Sequence, residues 1–197
     1  QEVERALLYP SGVLAVLLVT RRSSTRHLLT GILVAITAVC WYAIAKRLFP
    51  TSTPSFDVIS TYRLTRPITY WNALGIYSAV GALVALALAT TGRSILARTL
   101  SAATLAILVP TMYLTFSRGA WIAMALGLLG AIALAPARLR LVTGILALAP
   151  APALTVLVAS RSTALTRLQS SLAKAQTDGH RMALAMLVLG IVSAAIA

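Results

Sequence analysis

Cysteine is nearly missing from this chain of 197 residues. Cys40 stands alone, which rules out an intrachain disulfide and a zinc cluster built on cysteines. Acidic residues are almost as scarce, 4 Asp+Glu against 17 Lys+Arg, for a net charge of +13. So few carboxylates leave no pair for glycosidase chemistry. Asp57 and Asp178 are too few for a carboxylate metal site, and no metal or cofactor is expected. No glycine-rich loop with a lysine is present to cradle nucleotide phosphates, so ATP hydrolysis is not encoded. Alternating segments of about 10 residues, the mark of a membrane β-barrel, are also missing.

What the chain has is apolar surface. Hydrophobic residues make up 59%, charged residues only 11%, and the mean hydropathy is +0.89. A soluble domain of this size cannot hide that much apolar area, because much of its surface must face water. Seven hydrophobic segments can be counted, at 6–20, 28–45, 70–90, 99–115, 119–135, 141–159 and 182–197. Several fall short of the roughly 20 residues that cross a bilayer, but their flanks lengthen them. Backbone groups in lipid must pair internally, which makes the segments helices. The expected fold is all-α, a polytopic transmembrane bundle of about seven helices. The chain opens Gln1-Glu2-Val3-Glu4 and stops inside an apolar run, so residues 1–197 read as one transmembrane domain and a piece of a longer protein. The acidic flank also means that 6–20 is not a secretory signal.

The excess of cations sits mostly between the apolar runs, with no nucleic-acid-binding motif around it, so no nucleic acid partner is expected. The charges read instead as membrane flanks and contacts to anionic membrane lipid. Three tight basic links, 21–26, Arg93 with Arg98, and Arg138 with Arg140, are cytoplasmic by the positive-inside rule. The links at 46–69, at Ser117-Arg118 and at 160–181 are then external. Three basic outer elements around one bundle make a candidate anion site.

Arg118 is the sharpest feature of that site. It lies in Thr115-Phe116-Ser117-Arg118-Gly119-Ala120-Trp121, between two apolar runs with almost no loop. At membrane depth an arginine costs about 2.5–3.5 kcal/mol even on the lenient scale, so it is usually paired, snorkelling or functional. Its planar fork of donors matches phosphate oxygens. Ser117 offers a hydroxyl, and Gly119 lets a ligand approach the backbone. The other reading makes Arg118 a charge that caps a helix hairpin and snorkels to the interface.

The remaining features each have a plain reading beside the functional one. In Arg66-Pro67-Ile68-Thr69-Tyr70-Trp71-Asn72, Trp71 is an interfacial aromatic, and Asn72 either glues helices or positions a sugar or Arg66. His27 flanks the cytoplasmic cluster. His180 and Arg181 lie in Thr177-Asp178-Gly179-His180-Arg181, just before the last segment; His180 is a candidate base or a plain loop residue. Pro110, Pro150 and Pro152 fall inside segments and are ordinary transmembrane prolines or marks of helices bent to open a cavity.

Two of these stretches together carry a resemblance. Tyr70-Trp71-Asn72-Ala73-Leu74-Gly75, followed about forty residues on by Leu114-Thr115-Phe116-Ser117-Arg118-Gly119-Ala120-Trp121, is similar to the O-antigen ligase/polymerase family of bacterial membrane proteins. The intervening helices and the basic link after Ala135 fit as well, and the likeness covers roughly 63–159. It implies a glycosyltransferase of the bacterial cytoplasmic membrane. Such an enzyme takes a glycan from an undecaprenyl pyrophosphate donor at the outer face and passes it to a saccharide or lipid acceptor. It implies that Arg118 contacts the pyrophosphate, with Ser117, Arg66 and Arg63 as further candidates. Asn72, Trp71, Arg181 and His180 are candidates for positioning substrate. The family's larger outer loop, with its functional histidine, has no counterpart here that can be recognised, and His180 is not equated with that residue. The catalytic base is not assigned, and the piece alone is expected to be inactive. Outside the resemblance, a transporter or channel for an anionic solute, or a structural membrane partner, is also compatible with the residues.

Overall fold

The computed structural model describes residues 25–51, 59, 61–167 and 171–197. Among them the chain is helical, with no strand. In order the helices are α1 (Thr25–Leu48), α2 (Trp71–Thr91), α3 (Ile95–Leu114), α4 (Arg118–Leu134), α5 (Arg138–Leu148), α6 (Pro150–Arg161), the single turn α7 (Thr163–Thr166) and α8 (Leu172–Ile196). Two compact units divide at Ile32, and of the first only residues 25–32, the opening turns of α1, are described. The second unit is Leu33–Ala197.

Five stretches are long and apolar enough to cross a membrane: α1, α2, α3, α5 with α6 taken as one span, and α8. The chain is a multi-pass membrane protein. α4 has 17 residues, at the low end of the roughly 17–25 that suffice. Each of the six apolar segments from 28 onward is thus helical, while the first, at 6–20, lies outside the described residues along with Glu2, Glu4, Arg21, Arg22 and Asp57.

Small residues set the packing, as lipid offers no hydrophobic drive to press helices together. α2 and α3 form the most extensive pair. A Cβ built on Gly81 of α2 would lie 2.5 Å from Ile36 Cγ2 of α1 and 3.2 Å from Leu108 of α3. α8 lies on α3, where Gly190 approaches the Ala103 carbonyl, and α6 fits beside both. α4 lies on α2, with Ala79, Met112 and Ala120 in one buried cluster. Hydroxyls in this interior donate to carbonyls of their own helix: Ser78 to Leu74 at 2.8 Å, Thr111 to Ile107 at 2.7 Å, Thr155 to Pro152 at 2.6 Å. That removes the cost of an unpaired hydroxyl in a medium without water. Large apolar side chains face outward instead, among them Ile122, Leu126, Leu129, Leu184 and Leu187, all at least 60% exposed. Outward exposure on that scale suits lipid and not water.

Two expectations need correcting. The stretch 160–181 is not one long loop, because α8 begins at Leu172, ten residues before the apolar segment does. Ser171 caps it by accepting from the Lys174 N–H, and Leu, Ala, Lys and Gln in its first turns favour helix. Polarity marked where the apolar span starts, which is not where the helix starts. The segment 141–159 is not one helix either. Pro150 has no N–H to donate back, so α5 stops at Leu148 and α6 begins with Pro150 at its first turn. Pro110, by contrast, sits inside α3 without ending it.

Candidate functional site

Because successive helices run in opposite directions, their links gather at two ends. One end carries residues 61–70, the turn 115–117, residues 162–167 and Ser171; the other carries 92–94, 135–137 and Ala197. Contacts tie the first end together. The Leu64 N–H donates to the Leu114 carbonyl at 2.9 Å. The Arg47 guanidinium, one residue before the end of α1, donates to the Tyr62 carbonyl. Gln176 of α8 donates to the Pro50 carbonyl at 3.3 Å, and Gly179 of α8 sits so close to α1 that a Cβ would meet the Leu48 carbonyl oxygen.

The turn between α3 and α4 is built from its residues in order. Thr115 and Phe116 close α3 by donating to the Met112 and Tyr113 carbonyls. Phe116 then takes φ +51°, a left-handed conformation that costs a residue with a side chain about 1–2 kcal/mol. Its ring meets Tyr62 edge-on, centroids 4.7 Å apart, and the tilted ring of Tyr113 at 5.4 Å. Ser117 is buried and caps α4, its Oγ accepting from the Ala120 N–H at 3.2 Å. Arg118 is the first residue of the helix and is exposed.

This arrangement concentrates positive potential at one point. The first N–H groups of a helix have no partner inside it, and the helix dipole places a partial positive charge there. Ser117 satisfies Ala120, while the N–H groups of Arg118 and Gly119 have no partner among the described residues. A Cβ on Gly119 would find only Ser117 Oγ within 4 Å, at 3.9 Å, so the backbone there is open to approach. The Arg118 guanidinium has no hydrogen bond or ion pair among the described residues. A cation at this helix end adds to the dipole instead of offsetting it, and an anion is what such an end attracts.

Gly75 brings the rest of the site to the turn. A Cβ on it would lie 2.8 Å from Thr115 Oγ1, 2.9 Å from Ala120 Cβ and 3.1 Å from Ser117 Cβ. The start of the second turn of α2 therefore packs directly on residues 115–120, and the stretches 70–75 and 114–121 are in contact. Just before α2, the Arg63 guanidinium lies over the Trp71 ring at 4.8 Å, with its Nε buried and unpartnered. Trp71 thus serves Arg63 as a platform besides flanking the helix. Arg66 is exposed and makes no hydrogen bond among the described residues. Asn72 finds its partner locally, its Nδ2 donating to the Tyr70 hydroxyl at 2.8 Å, and does not bridge to another helix.

His180 and Arg181 stand apart from this group. They lie in α8, not in a loop, and are exposed. α8 packs chiefly on α3 and α6, whereas α4 packs on α2. The His180 ring lies 5.5 Å from Phe49. Asp178, the sole acidic side chain among the described residues, accepts from Ser162 Oγ at 2.7 Å and from the Ala164 N–H at 3.3 Å. It holds the start of α7, and at two positions from His180 it faces another side of the helix. Arg47 and Tyr62 are not among the residues that the sequence singles out, and Gly75 enters there only as the end of the stretch 70–75. A cation beside a helix end and a glycine in an apolar helix are visible signals; that Tyr62 would meet Phe116 had none.

Comparison of the chain with protein-family models, with curated proteins and with solved structures returned no match.

Proposed function

We propose that the Arg118 end binds the pyrophosphate of a lipid-linked glycan, and that the protein is a membrane glycosyltransferase of the O-antigen ligase/polymerase type. The observation that carries the reading is the packing of 70–75 on 114–121 through Gly75, with Arg118 unpartnered at the open end of α4. These are the two stretches on which the resemblance rests, and they meet beside a helix start that combines a free guanidinium with two free N–H groups.

In this reading an acceptor hydroxyl attacks the anomeric carbon of the donor glycan. The bond from that carbon to the phosphate oxygen breaks, and undecaprenyl pyrophosphate leaves with the bonding electron pair. The hydroxyl proton passes to a base that is not assigned to any residue here. Negative charge grows on the pyrophosphate as the bond breaks, so donors aimed there lower the barrier. Arg118 and the α4 N–H groups supply them, with Arg63 and Arg66 as the second rank. Ser117 acts through the helix end that it caps. Trp71 acts through Arg63. The acceptor is a saccharide or a lipid, and the site faces outward from the bacterial cytoplasmic membrane.

The test is transfer of glycan from undecaprenyl pyrophosphate in membranes holding Arg118→Ala. Arg93→Ala is the control, since Arg93 is exposed at the other end, whereas Arg98 donates to the Ala89 and Ala197 carbonyls. Loss of transfer in Arg118→Ala alone, at normal abundance, supports the reading. Equal loss in both variants, or in neither, refutes it. The second reading, a transporter or channel for an anionic solute, draws on the break between α5 and α6, because transporters place binding sites at interrupted helices. Anion uptake into vesicles that depends on Arg118, without glycan transfer, would favour it.

A further inference from the structure

A groove that no part of the proposed function uses lies at the end away from Arg118. It has a volume of about 410 Å³ and opens between α2, α4 and the start of α5. Its cause is local. α4 touches α2 at Gly127, where a Cβ would come 2.4 Å from Leu83 Cδ1, and α5 touches α2 at Gly144, where a Cβ would come 2.3 Å from Thr90 Cγ2. Between those two close contacts the chain leaves α4 at Ala135, passes Pro136 and re-enters helix at Arg138. The three helices part there, and Leu83, Leu86, Leu128, Ala131 and Leu141 are left lining a trough.

The walls are apolar but for Thr90 and Thr91, whose hydroxyls donate to the Leu86 and Ala87 carbonyls at 2.8 and 2.7 Å, and Arg140. Arg140 lines the groove, and its guanidinium has no hydrogen bond or ion pair among the described residues. Its neighbours are occupied: Arg138 donates to the Ala133 carbonyl at 2.9 Å, and Arg98 to the Ala89 carbonyl at 3.3 Å. Arg93 adds a second spare guanidinium at this end, and no described acidic side chain lies there to balance either. An apolar trough in a membrane protein with an unpaired guanidinium at its mouth is complementary to one molecule in two parts. The trough takes an acyl chain, which needs no polar partner. The guanidinium takes a phosphate, whose oxygens match its fork. The volume lies in the range of roughly 300–1,000 Å³ that ligand sites occupy.

We infer that this groove is a binding site for an anionic glycerophospholipid, with an acyl chain between α2 and α4 and the phosphate on Arg140. The site is independent of the reading of the Arg118 end. Whatever that end binds, a lipid seated here would fill the gap where α4 and α5 part from α2.

The experiment uses the full chain purified in detergent and stripped of lipid. The probes are a phosphatidylglycerol and the phosphatidylcholine with the same acyl chains, with glycerol 3-phosphate as the tail-free competitor; bound lipid is read by native mass spectrometry. The account expects phosphatidylglycerol to bind about tenfold more tightly than phosphatidylcholine. Arg140→Gln should erase that preference and leave phosphatidylcholine binding alone. Ala131→Phe, which fills the trough, should weaken both lipids, and glycerol 3-phosphate should not compete. The inference is overturned if both variants bind phosphatidylglycerol as the wild type does. It is equally overturned if glycerol 3-phosphate displaces the lipid, which would make this a free-phosphate site. The lipid-free Tm of each variant guards against misfolding, and Ala87→Phe, on the opposite wall, replaces Ala131→Phe if that Tm falls.

Discussion

Gly75→Ala tests the joint on which the site depends. The new methyl group would sit 2.8 Å from Thr115 Oγ1, 2.9 Å from Ala120 Cβ and 3.1 Å from Ser117 Cβ. Carbon atoms rest comfortably at about 3.5–4.0 Å. The contact with Ala120 is thus short by more than half an ångström. The two carbon neighbours are Cβ atoms, which no rotamer change can move, so the backbone of the turn or of α4 must shift. Overpacking of this kind costs about 1–3 kcal/mol. Removing a helix glycine returns about 0.5–1 kcal/mol, which leaves a net loss near 1 kcal/mol. For a chain of this length that lowers Tm by about 2–4 °C. Gly130→Ala is the internal standard: it lies mid-helix in α4 with nothing within 4 Å of its Cβ, so only the gain applies and Tm should hold or rise. Thermal unfolding of the three proteins in one detergent reads both signs. Since the shift falls on Ser117 and Arg118, anion binding should drop in Gly75→Ala beyond what stability explains. A Tm at or above wild type for Gly75→Ala, with unchanged binding, would refute the packing argument.

Three further predictions follow from single contacts. Ser117→Ala loses the cap on α4 and should cost about 0.5–2 kcal/mol by the same unfolding measurement; Ser117→Asp should restore stability but weaken anion binding, because the new carboxylate sits beside Arg118. Asp178→Ala strips the acceptor from Ser162 and the Ala164 N–H, so stability should fall by about 1–3 kcal/mol while binding at the Arg118 end is kept, which unfolding and binding on one sample would separate. Pro150→Ala restores a donor at the α5–α6 joint; hydrogen exchange should slow around residues 146–150, and an unchanged pattern would mean that Pro150 is not what divides the span.

The sequence made the class of this fold legible for a simple reason. In lipid, apolar runs have one way to satisfy their backbone, so the six described segments are helical, with 141–159 divided in two at Pro150. Hydropathy reports the solvent of a residue and not its backbone, and so it missed the polar opening turns of α8. The hairpin at Ser117-Arg118 was legible because a charge between two apolar runs has few places to go. The rest of the site was not. Arg63 reaches Trp71, and Tyr62 reaches Phe116, through a link whose path no pattern of residue types dictates. Asn72, an amide at the start of an apolar run, needs a partner, and that partner is Tyr70, two positions before it. Gly75 shows the general difficulty. A glycine in an apolar helix signals close approach, but not what approaches.

The central claim is that Arg118 holds pyrophosphate. Its most direct measurement is equilibrium binding of undecaprenyl pyrophosphate to the purified chain, wild type against Arg118→Ala, with Arg93→Ala alongside. A hydrogen bond between charged groups is worth about 1.5–3 kcal/mol, which at about 1.4 kcal/mol per tenfold predicts that Arg118→Ala weakens binding by about ten- to a hundredfold while Arg93→Ala binds as the wild type does. Equal affinity of Arg118→Ala and wild type would contradict the account and leave Arg118 a charge on a helix hairpin.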